Sequence, residues 1–307
     1  MEHVAVVGHD AGGAEILSSW LNRADCGCSV VVAGPAAAVF RRKCPEAEYL
    51  SLDEALDKCT WVLCGTGWQS SYEREAIVLG RARGKKTVAF LDHWVNYRER
   101  FQEGRQSVLP DEIWVGDADA ERIARPLFPE IPVVLQANPY VEDLLAEIAR
   151  MNAGRSHPSA TSVLYVCEPV ADHALAQYGD ERYWGYTEHD ALRFFLENIG
   201  SLGQKIDAIT IRPHPSERAE KYHWAHEFTA LPIKFGGQQT LLEETIESDI
   251  VVGCESMAMV VGLLAGKRVI STIPPAGRPC QLPQGGIEHM RRLAAGAAGA
   301  AGAAHHV

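Results

Sequence analysis

Two stretches in the second half of the chain place chemistry-bearing residues where apolar runs end. Ile209-Thr210-Ile211-Arg212-Pro213-His214-Pro215-Ser216-Glu217 breaks from β-branched residues into a turn that carries an arginine and a histidine. About forty residues later, Asp249-Ile250-Val251-Val252-Gly253-Cys254-Glu255-Ser256-Met257-Ala258 breaks into Glu-Ser at the start of an apolar helix. Strand ends that meet helix N-termini are where open α/β sheets bind phosphorylated ligands. Pro213 and Pro215 stiffen the backbone on both sides of His214. The imidazole can then donate to a phosphate, with Arg212 adding a charge-assisted bond; the plainer alternative is a stiff turn around a core histidine. Ser256 is a good N-cap, and the same hydroxyl and amides can bind phosphate. Glu255 can accept from ribose hydroxyls. Glu168, in the turn that ends Val163–Cys167, joins Arg212, His214, Pro215, Glu255 and Ser256 as a nucleotide- or phosphate-binding candidate.

The first half carries two further loops. His9-Asp10-Ala11-Gly12-Gly13-Ala14-Glu15 follows the first apolar run. Its paired glycines let backbone approach a ligand. The loop is either a tight strand-to-helix turn or an acceptor site with Asp10 or His9 as base. It is not GxGxxG, so the dinucleotide fingerprint is not met. Leu91-Asp92-His93-Trp94-Val95-Asn96-Tyr97-Arg98-Glu99-Arg100-Phe101 is dense in polar and aromatic groups. Asp92 beside His93 can orient or ionise an imidazole for proton transfer, or simply cap the next helix. Asp10, Asp92 and His93 are the catalytic candidates. His9, Gly12, Gly13, Asn96 and Tyr97 are candidates for acceptor or sugar contacts.

Alternating apolar strands and helical stretches must position these loops. Strands are expected at Val4–Gly8, Ser29–Ala33, Thr60–Cys64, Lys86–Leu91, Glu112–Val115 and Val133–Leu135. Helices are expected at about Ala14–Asn22, Tyr72–Gly84, Ala118–Leu127 and Val141–Met151. The alternation restarts with strands at Val163–Cys167, Ala208–Arg212, Ile233–Phe235, Ile250–Val252 and Arg268–Thr272. Helices are expected between them at Glu188–Leu202, Ser216–Phe228, Leu241–Ser248 and Ser256–Leu264. Such βαβ alternation implies parallel sheets. The expected class is α/β, with two Rossmann-like domains facing a central cleft. Residues 1–150 form an acceptor domain, 151–162 a polar, small-residue linker, 163–293 a nucleotide-binding domain, and 294–307 a low-complexity Ala/Gly tail.

The chain has 307 residues and a net charge of -11, which argues against a nucleic-acid footprint. Its eight cysteines are scattered, several of them in apolar runs (Cys64, Cys167, Cys254), and fit reduced thiols; Cys26-Gly27-Cys28 has the wrong spacing for a CxxC pair. No signal peptide is evident, and no apolar run reaches the roughly 18 to 20 residues of a membrane helix. A cytoplasmic protein with at most peripheral membrane contact is expected. There is no HExxH, clustered Cys/His set, P-loop or GxSxG. Asp117-Ala118-Asp119 has DxD spelling but sits where a helix should start, and reads as caps. No metal is expected, nor is His305-His306 read as a metal site.

Two βαβ halves, a Gly-bearing first loop and the His214-Pro215 turn make the chain resemble GT-B fold glycosyltransferases. It looks most like bacterial polysaccharide enzymes that use CMP-activated sugars, the sialyl- and Kdo transferases. The resemblance implies that His214-Pro215 and Ser256 contact the nucleotide phosphate, and that Asp10 or Asp92 is the base. It departs from that family in lacking an acidic-acidic-Gly motif and in having one serine where paired hydroxyls stand. Glu255 is closer to the ribose-binding glutamate of UDP-sugar enzymes. The Arg-Pro-His-Pro turn is also similar to CDP-glycerol phosphotransferases, and the layout to UDP-N-acetylglucosamine 2-epimerases. The implied function is metal-independent transfer of a sugar from a nucleotide-activated donor, CMP-sugar before UDP-sugar, to a glycan or lipid-linked acceptor in surface-polysaccharide assembly. The donor is a substrate and no cofactor is implied. The alternatives are a nucleotide-sugar epimerase or hydrolase, a CDP-glycerol-type phosphotransferase, and a nucleotide-sugar binding protein without turnover. A homodimer is left open.

Overall fold

The computed structural model describes residues 2–67, 70–153 and 160–304, with side chains through residue 297. The chain forms two compact units, Met1–Asp143 and Leu144–Val307. The first unit contains β1 (His3–Gly8), α1 (Ala11–Leu21), β2 (Gly27–Val32), α2 (Ala36–Lys43), β3 (Glu48–Tyr49), α3 (Leu52–Lys58), β4 (Trp61–Cys64), α4 (Tyr72–Ala82) and β5 (Lys86–Leu91). A small hairpin of β6 (Gln102–Glu103) and β7 (Gln106–Ser107) follows, then β8 (Glu112–Val115), α5 (Ala118–Leu127) and β9 (Val133–Leu135). Helix α6 (Pro139–Asn152) contains the division between the units.

All strands of the seven-stranded sheet are parallel, in the order β3-β2-β1-β4-β5-β8-β9. Strand β1 explains why the apolar runs are continuous. Ala5 and Val7 face one core with Val62, Ile77 and Phe101, while Val4 and Val6 face another with Leu17, Phe40 and Phe90. Helices cover both faces of a parallel sheet, so neither set of alternate side chains can be polar.

The second unit repeats the plan. It contains β10 (Ser162–Val166), α7 (Val170–Tyr178), α8 (Glu188–Asn198), β11 (Ala208–Arg212), β12 (Ile233–Phe235), α9 (Leu241–Glu247), β13 (Ile250–Gly253), α10 (Met257–Leu264), β14 (Arg268–Ser271), β15 (Ile287–His289) and α11 (Met290–Ala304). Its six parallel strands run β12-β11-β10-β13-β14-β15. In each unit the strand order reverses beside the first strand, between β1 and β4 and between β10 and β13. Loops at the carboxyl ends of those strands are the ones an open sheet offers to ligands.

Several expected elements take a different form. Helix α1 starts at Ala11 rather than Ala14, because Asp10 caps it by accepting from the Gly13 amide at 2.7 Å. The stretch expected as a helix over 216–228 is a 3-10 segment, Ala219–Glu227. The helix expected over 188–202 tightens into 3-10 geometry at Ile199–Leu202. Helices α2, α3 and α7 and strands β3 and β15 were not expected. The linker expected at 151–162 falls partly on residues 154–159, and the His305-His306 pair lies beyond 304, both outside the described residues. The rest of the 294–307 tail continues α11 to Ala304. Asp117 caps α5, as expected, by accepting from the Ala120 amide at 2.7 Å. Among the described residues no helix is long and apolar enough to cross a membrane.

Helix α10 lies against β13 and β14 through Gly262, where an added Cβ would stand 3.1 Å from the side chains of both Val251 and Val269. Gly262→Val is expected to destabilise the second unit by about 1–3 kcal/mol through overpacking. A denaturant midpoint equal to that of the parent protein would show that α10 has slack there.

Candidate functional site

In the first unit, the carboxyl ends of β1, β4 and β5 converge on acidic groups. Asp10 follows β1, the Gly65-Thr66-Gly67 turn follows β4, and Asp92 follows β5. An added Cβ on Gly12 would stand 2.6 Å from Asp92 Oδ2, and one on Gly67 would stand 2.9 Å from Asp10 Oδ2. These glycines are therefore required by close approach rather than by a special turn. Asp92 is 11 % exposed and pairs with the nearly buried Arg100 at 2.5 Å. The same guanidinium donates to the Thr66 carbonyl at 2.9 Å and to the Thr66 hydroxyl at 3.0 Å, and its Nε donates to the Val95 carbonyl at 3.2 Å. Arg100 is thus the counter-charge of Asp92 and the tie between the β4 and β5 loops.

Asp10 has no such partner. Burial, and then the neighbouring charge of Asp92, push its carboxyl up to about 7, against the lowering effect of the Gly13 amide. Its Oδ1 is used in capping α1, and among the described residues no hydrogen bond involves Oδ2. A carboxyl that titrates near neutrality with one free oxygen suits a general base. Glu73 lies in the same cluster, 2 % exposed, and accepts the His9 amide at 2.8 Å. Its carboxyl is also raised by burial.

The other candidates in this unit separate into distinct roles. Asp92 does not orient His93. Its hydrogen bonds go to Arg100 and Thr66, because consecutive residues leaving a strand project to opposite sides. The His93 ring lies edge-on to Trp94, its Nδ1 is buried without a partner, and burial lowers its pKa to about 4. A neutral imidazole is the result, not a proton carrier paired with Asp92. Asn96 holds a left-handed backbone at φ 56°, a conformation that asparagine tolerates better than most residues. Tyr97 is 2 % exposed with an unpartnered hydroxyl. His9 packs beside Gly34 and 6.1 Å from the Tyr72 ring. Gly13 is buried beside Gly65, and Gly12 is exposed.

In the second unit the expected phosphate cradle is already filled. Glu168, at the end of β10, accepts the Cys254 amide at 3.0 Å and the Glu255 amide at 2.9 Å, with the Ser256 amide also bonded to it. These amides lie in the turn just before α10, whose own first turn, beginning at Met257, has no side-chain cap. Burial drives the Glu168 carboxyl up to about 7, with the Glu255 charge adding to it and the three amides opposing it. Glu168 thus holds the turn that leads into α10, while the Ser256 hydroxyl is buried, has no hydrogen bond among the described residues and makes no capping bond.

Two other expected contacts are committed elsewhere. Glu255 accepts from the Arg278 guanidinium and from the Gln281 amide at 3.0 Å. Arg212 pairs with Glu244 at 2.7 Å and donates to the Gln239 carbonyl at 3.0 Å. Tyr186 is 2 % exposed against Gly277, and Arg278 lies 4.6 Å over the Trp184 ring, so neither aromatic presents an open stacking pair.

The His-Pro turn is held as its prolines suggest. The Ser216 amide donates to His214 Nδ1 at 3.2 Å, and the Ser216 hydroxyl lies 2.7 Å from the same atom. With Nδ1 accepting, Nε2 carries the hydrogen and is left as a donor. Glu217 organises this turn, a role that nothing in its position along the chain announces. It accepts the His214 amide at 3.2 Å, the Tyr222 hydroxyl at 2.9 Å and the Lys221 ammonium at 2.7 Å. Among the described residues no group of three or more His, Cys, Asp or Glu side chains could hold a metal ion.

A raised carboxyl favours the folded state below its unfolded value, and the advantage is lost as pH climbs through its folded value. For Asp10 that window runs from about 4 to about 7. Asp10→Asn keeps a capping oxygen and removes the buried charge. It is expected to raise the melting temperature at pH 8 and to leave it unchanged below pH 4. Equal shifts at both pH values would show that Asp10 bears no buried charge.

No protein-family model matches the chain, and no curated protein matches it. Solved structures do. UDP-GlcNAc 2-epimerase from Methanocaldococcus jannaschii superposes with TM-score 0.62 at 10% identity, covering 97% of this chain and 92% of its own. The Neisseria meningitidis UDP-GlcNAc 2-epimerase bound to UDP-GlcNAc gives 0.60 at 11% identity, covering 97% and 91%. The glycotransferase of kitacinnamycin gives 0.54 at 14% identity, covering 96% and 89%. The likeness is one of fold: the chain carries two Rossmann-like α/β units of the GT-B class.

Proposed function

We propose that the protein is an enzyme of nucleotide-sugar chemistry, a glycosyltransferase in which Asp10 is the general base. The observation that carries this reading is Asp10 itself. Its carboxyl sits near neutrality because it is buried beside an acidic neighbour, and its Oδ2 is free. In the reaction, Asp10 takes the proton of an acceptor hydroxyl as that oxygen bonds the anomeric carbon of the donor. The bond from that carbon to the phosphate oxygen breaks, and the nucleotide leaves with the electron pair. The charge of Asp92 adds to the burial that keeps Asp10 raised, and its pairing with Arg100 fixes the loop. The acceptor is a glycan or a lipid-linked sugar, and the donor a CMP- or UDP-sugar.

A second reading rests on the same carboxyl. The M. jannaschii and N. meningitidis structures are of UDP-GlcNAc 2-epimerases, and a carboxyl near neutrality can both remove and return a proton. An epimerase or hydrolase converts a nucleotide sugar with no acceptor present.

Incubation with CMP- and UDP-sugars, with and without glycan acceptors, separates the two. Nucleotide release that requires acceptor supports transfer, and conversion of donor alone supports the second reading. In either case Asp10→Asn is expected to lower kcat/KM by roughly 10²- to 10⁴-fold, and the parent activity is expected to rise with pH through about 7. An Asp10→Asn protein of undiminished rate would reject Asp10 as the base.

A further inference from the structure

We propose that His173, on α7, joins His214 in a two-imidazole site that holds a phosphate group of the ligand in the second unit. This rests on the reading of the protein as a nucleotide-sugar enzyme and adds a residue to its binding site.

Several nearby donors are already used. The Cys254 and Glu255 amides before α10 are bonded to Glu168. The Arg212 guanidinium is paired with Glu244, and Lys221 lies between Glu188 at 2.5 Å and Glu217 at 2.7 Å. An incoming anion would find each of these neutralised. The imidazoles are different. His214 has Nδ1 filled by Ser216, which leaves Nε2–H available. The ring of His173 makes no hydrogen bond among the described residues and lies 6.4 Å from the His214 ring, centroid to centroid, with the planes at 81°. At that separation one phosphate group beside the two rings can reach both, taking a charge-assisted bond of about 2.8 Å from each. His173 is fixed in the first turn of α7, its amide bonded to the Pro169 carbonyl at 3.0 Å.

Burial lowers the His214 pKa, and His173 lowers it further, while Glu217 opposes both. The charged groups around the pair are Asp172 on α7, Glu188 on α8, and Glu217 and Lys221 beyond β11. Lys221 is within ion-pair distance of all three acids, 3.8 Å from Asp172. The acids are therefore shared with Lys221, and an anion between the imidazoles supplies the missing counter-charge. Binding should take up protons.

The test is calorimetric titration of the full chain with inorganic pyrophosphate, CMP and UDP between pH 6 and pH 8. The expected result is tighter binding at lower pH and roughly tenfold weaker binding in His173→Asn, with a flatter pH dependence. His173→Lys is expected to restore affinity without restoring the pH dependence, which a purely structural role would not produce. Parent-like affinity and pH dependence in His173→Asn would overturn the proposal. So would a gain of affinity in Glu168→Gln that His173→Asn does not alter, because the anion would then enter at α10. A parent protein that binds neither pyrophosphate nor any nucleotide would overturn the nucleotide-sugar reading as well.

Discussion

Carboxylates withdrawn from water at the ends of parallel strands set the terms for both halves of this protein. A buried carboxylate needs a counter-charge, amide donors, or a proton. The chain uses each remedy. Asp92 has Arg100, Glu168 has the Cys254 and Glu255 amides, and Asp10 has the Gly13 amide beside an acidic neighbour; burial still pushes the last two carboxyls up to about 7. The glycines follow from the same constraint. Gly12 and Gly67 are small because carboxylate oxygens occupy the space where their side chains would be.

The two units solve one topological problem with opposite results. Both reverse strand order beside their first strand, and both send an acidic residue out of that strand's end. In the first unit the acid caps the helix that directly follows and keeps one oxygen free. In the second it reaches across to the turn after β13 and accepts the Cys254 and Glu255 amides there. The first arrangement is local to one strand-to-helix connection, and the second ties two connections together.

Much of the fold was legible because parallel strands covered on both faces appear as unbroken apolar runs, as in Val4–Val7 and Ile250–Val252. The short helices were not. In α2 only Ala36 and Phe40 are buried, too few to mark a face, and α7 buries Val170 and Ala174 while leaving Leu175 and Tyr178 exposed. For the candidate site, Asp10, Asp92 and His214 stood out because each sits where a run breaks. Arg100 and Glu73 did not, since their roles depend on partners from other loops, Thr66 and His9, 34 and 64 residues away. An acid in the first turn of a helix, as Glu73 is in α4, normally signals only dipole complementarity. The tie from Glu168 to the Cys254 and Glu255 amides was equally hidden, because its partners lie 86 and 87 residues away along the chain.

Glu168 also bears on how the protein fares when its ligand is scarce. Proteins that leave a helix end bare for their ligand are often loosened when starved of it, and the loosened form is open to proteases. Here the turn before α10 is tied to Glu168 from within, so the Cys254 and Glu255 amides stay bonded whether or not a ligand is present. The persistence of that turn is uncoupled from the supply of any ligand.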